Sequence, residues 1–263
     1  MKEFTDPVTE LADMCRSLSK PDNKRGDDYL AEKFGVSAWS VGFYRIIFCI
    51  LHRVEEVEES IEKLEIDDSL NKRLRGNLRQ IREAFSKHSL QQNWKDNGGP
   101  AKLRSEFVEP IAAIAPMVRQ SIKIPKLSDG EIAALIAEVD TLIDWLCEHQ
   151  LVEQDFIRQA IIDGLKNFRF HLTNFKWVGI GYTLHSLREV IGAYLAFERG
   201  IDIDADNPVA DAVRKKIGSL FASVRSTIGF AKDIKSDADF LLELYGACSI
   251  AVDTGVAGLL TSQ

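Results

Sequence analysis

Apolar residues recur along this chain at spacings of three and four, and almost nowhere do they alternate with period two. From Ala38 to Leu64 a single stripe joins Phe43, Ile47, Ile50, Leu51, Val54, Val57, Ile61 and Leu64, which predicts one long helix. Leu70, Leu74, Leu78, Ile81 and Phe85 mark the next, after a turn at Asp67-Asp68-Ser69. Asp6-Pro7 predicts the start of a short helix, since an aspartate cap satisfies a free N–H and proline at the first turn removes another. Ser128 and Glu131 form the capping-box signature ahead of Ile132, Leu135, Ile136, Val139, Leu142, Ile143 and Leu146. Further helical patterns occupy about 153–175, 178–198, 208–231 and 237–260. Short joints between helices make sequence neighbours pack antiparallel. The expectation is an all-α, multi-helix bundle of antiparallel helix pairs, with room for two helical subdomains.

Breakers punctuate this pattern. Ser19 to Asp28 reads as a loop, and Pro110 and Pro116 each start or kink a segment between Lys102 and Ile122. Asn93 to Pro100 (NWKDNGGP) is the strongest interruption, because Gly-Gly-Pro stops a helix. It predicts an N-terminal helical region at 1–92, a linker or loop at 93–100 and a C-terminal bundle at 101–263.

Charge sharpens the picture of the first region. Residues 55–68 hold eight acidic groups against Lys63, and residues 71–104 hold nine basic groups against Glu83 and Asp96. Neighbouring helices of opposite charge predict an antiparallel hairpin whose facing charges set its pairing. The same basic stretch, 72–104, is the one place where nucleic acid could bind, although aromatic residues for base stacking are scarce there. The chain as a whole carries a net charge of -7, which does not favour polyanions.

Chemistry is written sparsely. The four cysteines, Cys15, Cys49, Cys147 and Cys248, form no C-x-x-C pair, and the apolar context of Cys49 beside His52 suggests a core thiol. No nucleotide-loop, zincin, di-iron or hydrolase-elbow motif is present, so no cofactor is expected. Asp202, Asp204 and Asp206 alternate like the opening of a calcium loop, yet Val213 stands where the closing carboxylate belongs, while Asp206-Asn207-Pro208 suits a helix start. Arg45 and His52 are separated by six residues and Arg82 and His88 by five. That spacing resembles the Arg–His pair of helical HEPN-class ribonucleases, which use His for proton transfer and Arg for phosphate charge. Ile46 and Glu83 follow the two arginines. The aromatic-rich stretch from Phe168 to Trp177 leaves Phe170, His171 and Trp177 off the core stripe, and with Gly179 and Gly181 these are the candidate ligand pocket.

Near the C-terminus, Leu241 to Leu260 is long and apolar, but Glu243 and Asp253 would be costly in lipid. Ala247, Ala251, Gly255 and Gly258 form a small-residue stripe suited to close helix packing, within a bundle or between subunits. No membrane span is expected, and the first residues lack a secretory pattern, which points to the cytoplasm. The functional expectation is a non-enzymatic helical interaction or assembly protein acting through a protein partner or as a homo-oligomer. A HEPN-like ribonuclease and a small-molecule or ion-binding regulator are the rivals.

Overall fold

A computed structural model describes residues 3–95, 98–121, 124–149, 155–200 and 208–228. The chain is all-α, organised as two compact units that share one helix. The first unit comprises residues 1–125 together with Lys176–Gly179, and the second takes residues 126–175 and 180–263. The division therefore falls after Pro125, not within Asn93–Pro100 as the breakers suggested. The reason is Trp94, which lies at the centre of the first unit with no exposed surface. Its indole stacks on Tyr29 at 5.3 Å and donates to the Leu18 carbonyl at 3.0 Å. A Cβ on Gly99 would come within 2.1 Å of the Trp94 ring, so the glycine there is a packing requirement as well as a breaker.

In the first unit, β1 (Phe4–Thr5) pairs antiparallel with β2 (Ile124–Pro125). Between them run α1 (Pro7–Leu18), α2 (Gly26–Phe34), α3 (Val41–Glu62), α4 (Asp68–Ala84), α5 (Lys87–Gln91), α6 (Gly99–Lys102), α7 (Ser105–Ala112) and α8 (Ala115–Ser121). The Asp6 cap is present and fully buried: it accepts from the Thr9 N–H at 2.8 Å and from Arg119 Nε at 2.8 Å. The predicted loop at Ser19–Asp28 ends early, because Gly26-Asp27-Asp28 already form the first turn of α2. Two acidic residues in that turn favour it through the helix dipole. Pro116 opens α8, whereas Pro110 lies inside α7 and the helix ends two residues later.

The charged hairpin forms as the sequence implied. Arg75 pairs with Glu62 at 2.7 Å, and Arg82 with Glu58 at 3.2 Å and Glu55 at 3.8 Å. Rising numbers in α4 thus meet falling numbers in α3, which is the antiparallel arrangement. The buried faces, Val54, Val57 and Ile61 on α3 with Leu74, Leu78 and Ile81 on α4, supply the apolar side of the same pairing.

The second unit holds α9 (Asp129–Glu148), α10 (Asp155–Thr173), the larger part of α11 (Phe175–Gly200) and α12 (Pro208–Ile228). Ser128 and Glu131 make the complete reciprocal capping box. Arg158 donates to the Leu146 carbonyl while Arg169 pairs with Asp140, so α9 and α10 are antiparallel. Asn167 meets Glu189, and a Cβ on Gly164 would lie 3.1 Å from Val190, which sets α10 antiparallel to α11. The core is built from Leu135, Val139 and Leu142 with Ile161, Leu165 and Phe168, closed by Leu187, Ile191, Val213, Ile217 and Leu220. Among the described residues no helix is long and apolar enough to cross a membrane.

Candidate functional site

The first half of α3, VGFYRIIFCIL, is apolar on almost every side. One stripe, Phe43, Ile46, Ile47 and Ile50, goes into the core as periodicity demands. The remainder does not find cover. Val41, Tyr44 and Phe48 are 78%, 56% and 61% exposed, and at 3.6 residues per turn they fall within an arc of about 60°. Scattered exposed apolar residues are ordinary, but three bulky ones on one arc form a patch.

Beside this arc lies an open groove of about 310 Å³. Trp39 and, on α3, Phe43, Tyr44 and Ile47 make one wall; Phe85, at the end of α4, and Leu90 on α5 make the other. Lys87 and Gln91, both exposed, are its polar members. The Trp39 ring sits 5.6 Å from Phe43 and 5.8 Å from Tyr44. Its backbone has φ of 58°, the one positive value for a non-glycine residue among the described residues. A bulky residue rarely adopts that region, and holding it there costs on the order of 1–3 kcal/mol. The compensating contact is a 2.7 Å hydrogen bond from Trp39 Nε1 to the buried Asp27 carboxylate, which also accepts from Arg25 at 2.7 Å. The ring is therefore fixed before anything occupies the groove.

The residues singled out from sequence sit elsewhere or close to this groove without joining it. Arg45 is half-buried on α3, and Arg82 is engaged by Glu58 and Glu55. His88, exposed on α5, bonds to Gln92 at 2.9 Å. His52 Nδ1 lies 3.5 Å from Glu56 Oε1, an ion-pair distance, and that carboxylate holds the imidazole above its ordinary pKa. Cys49 is buried, and burial pushes its thiol up to about 12, so it carries no thiolate at neutral pH to pair with His52. Cys15 is likewise raised to about 12 by burial.

The proposed pocket residues are divided between the units. Phe170, His171 and Gly181 belong to the second, where His171 is buried and its ring lies 5.6 Å from Tyr182. Trp177 and Gly179 belong to the first. There the Trp177 ring packs edge-on against Phe34 at 5.2 Å, and its carbonyl accepts from Arg53 Nη1 at 2.8 Å. Arg53 is buried and has Glu10 Oε2 3.7 Å away. Gly179 interrupts α11 at φ 82°, and a Cβ there would lie 2.9 Å from Glu10 Oε2 and 3.0 Å from Arg53 Nε. These residues therefore have a packing and anchoring role that their aromatic spacing concealed.

Asp202, Asp204, Asp206, Ala247, Ala251, Gly255 and Gly258 lie outside the described residues. Among those described, no cluster of three or more His, Cys, Asp or Glu side chains could hold a metal. No protein-family model matches the chain, and neither does any curated protein or solved structure.

Trp39, Val41, Tyr44, Phe48 and Lys87 were missed by the sequence reading. The signal was present, however: a helix facing one core needs one stripe, and the first half of α3 carries more apolar residues than that stripe uses.

Proposed function

We propose that the protein is a non-enzymatic interaction and assembly component acting inside the cell, and that its contact face is the groove and exposed arc at the start of α3. The observation that carries this reading is the exposure of Val41, Tyr44 and Phe48 on a single arc beside the groove. Exposed aromatic and aliphatic side chains around a concave, pre-set surface have the composition of an interface core. Burying such a patch is the main favourable term in association.

The test compares wild-type protein with a Tyr44→Glu, Phe48→Glu double variant after circular dichroism has verified that both are folded. Light scattering measures self-association, and quantitative affinity capture from the native host measures partner binding. Loss of a partner, or of oligomeric mass, in the variant supports the reading. A wild-type monomer with an unchanged captured set overturns it. Cleavage of RNA by the pure protein, abolished by His52→Ala or His88→Ala, would replace it with the nuclease reading.

A further inference from the structure

We infer that the groove receives an amphipathic helix of another protein, with two bulky apolar side chains seated between α3 and α5 and a carboxylate placed against Lys87. The inference rests on the interaction reading above and supplies the chemistry of the partner.

Charge is the first argument. Forty of the 263 residues are acidic, yet there is none between Lys33 and Val54, nor between Ala84 and Lys95, the two stretches that line the groove. At the chain's average those 34 positions would hold about five. The neighbouring cations are otherwise occupied: Arg75 and Arg82 are paired with α3 carboxylates, and Lys102 bonds to Ser89 Oγ at 3.0 Å. The side chains of Lys87 and Gln91 have no hydrogen-bond or ion-pair partner among the described residues. The carboxylate that touches the lining is Asp27, which is buried and already bonded to Trp39 and Arg25. An uncompensated ammonium at the edge of an apolar groove is complementary to an incoming carboxylate.

Backbone chemistry selects the helix. Most of the lining lies on helices α3 and α5, and the groove presents no strand edge with which an extended segment could pair. An extended segment laid over it would leave its backbone polar groups facing apolar side chains, which is costly. A helix satisfies its own backbone and offers side chains at i, i+3 and i+4, the established manner of filling such a groove. A volume of about 310 Å³ sits at the small end of ligand cavities and suits a pair of side-chain anchors.

The same charges argue against a second copy at this face. In a two-fold contact a second copy presents the same two stretches, which hold no acidic residue, so they bring Lys87 no carboxylate.

The experiment selects a displayed library of helix-forming peptides against the full-length chain. Enriched peptides are then synthesised with a fluorescent label and titrated by anisotropy. The expected peptides carry two bulky apolar residues three or four apart and a flanking Asp or Glu. Their affinity should fall about five- to tenfold for Lys87→Glu and should weaken as salt is raised. Binding should be lost in Tyr44→Ser. Both positions are solvent-exposed, so the variants retain the fold, and thermal melting checks this.

Peptides that need Tyr44 but show no acidic preference, or that bind Lys87→Glu equally well, overturn the partner assignment and leave the interaction reading standing. No enrichment, or peptides indifferent to Tyr44→Ser, also overturns it. If the capture and light-scattering experiment is negative too, both readings fall. Concentration-dependent oligomeric mass that Tyr44→Ser abolishes assigns the groove to a second copy and overturns the inference.

Discussion

Gly179 and His52 show how much one residue's surroundings decide. Gly179 occupies φ 82° with Glu10 Oε2 and Arg53 Nε closer than van der Waals contact to where a Cβ would be. Gly179→Ala therefore combines backbone strain with a clash against the Arg53–Glu10 pair, and should lower stability by about 1–3 kcal/mol in urea titration. An unchanged midpoint would remove this account. For His52, the Glu56 carboxylate raises the imidazole pKa above its unfolded value near 6.5. Because the folded value is the higher one, the contribution is fully present below about pH 6.5 and is lost as pH rises through the folded pKa. The stability advantage of wild type over Glu56→Gln should thus be largest in mild acid and shrink toward pH 8. An advantage that grows with pH would show the sign to be wrong. The His52–Glu56 pair is an i,i+4 contact within α3, but Gly179 meets residues more than a hundred positions away, and sequence spacing carries no record of that.

At the scale of elements, legibility tracked whether the signal was periodic. Helices α3, α4, α9, α10 and α12 were readable because each has a buried stripe, and three have a recognisable start: the Ser128 box for α9, Asp67 for α4, Pro208 for α12. Short α5 and α6 were not, since one or two turns contain too few apolar positions to show a period. The charged α3–α4 hairpin was readable from composition, and its geometry permits a numerical expectation. The Arg82 side chain is 42% exposed, against 30% for Glu58 and 56% for Glu55, so screening discounts the pairing heavily. Arg82→Glu should cost about 0.5–1 kcal/mol at low salt and much less in 1 M NaCl. A loss independent of salt would mean that packing, and not charge, is what Arg82 contributes. The groove was hidden for a different reason: α3 looks like a core helix until one knows which of its apolar residues the core uses.

For the molecule as a whole, the boundaries of the chain's segments and of its compact units do not coincide. The break at Asn93–Pro100 is real in backbone terms, but Trp94 inside it is a core residue of the first unit. Conversely, four residues from the start of α11 complete that unit, through the Trp177 ring on Phe34 and the Trp177 carbonyl on Arg53. A fragment ending at Pro125 would lack both, leaving Arg53 buried without its acceptor. Arg53 keeps Glu10 3.7 Å away, so what is lost is a hydrogen bond from a charged group, worth about 1.5–3 kcal/mol. Such a fragment should melt below the same helices in the full chain, and Arg53→Met should raise its melting temperature. A fragment as protected in amide exchange as the intact protein, or one that gains nothing from Arg53→Met, would count against this view.

The discontinuity at Lys176–Gly179 also has a meaning in time. During synthesis, residues 1–125 leave the ribosome before the segment that completes their unit exists. At about 5–20 residues per second, the roughly fifty residues separating Pro125 from Trp177 take about 3–10 s to make. For that interval the nascent unit has an unsheltered Phe34 and an arginine awaiting its carbonyl, alongside the apolar arc of α3. The first unit can therefore finish only after most of the chain has emerged, which makes folding here a matter of waiting for a late piece and not of assembling one end before the other.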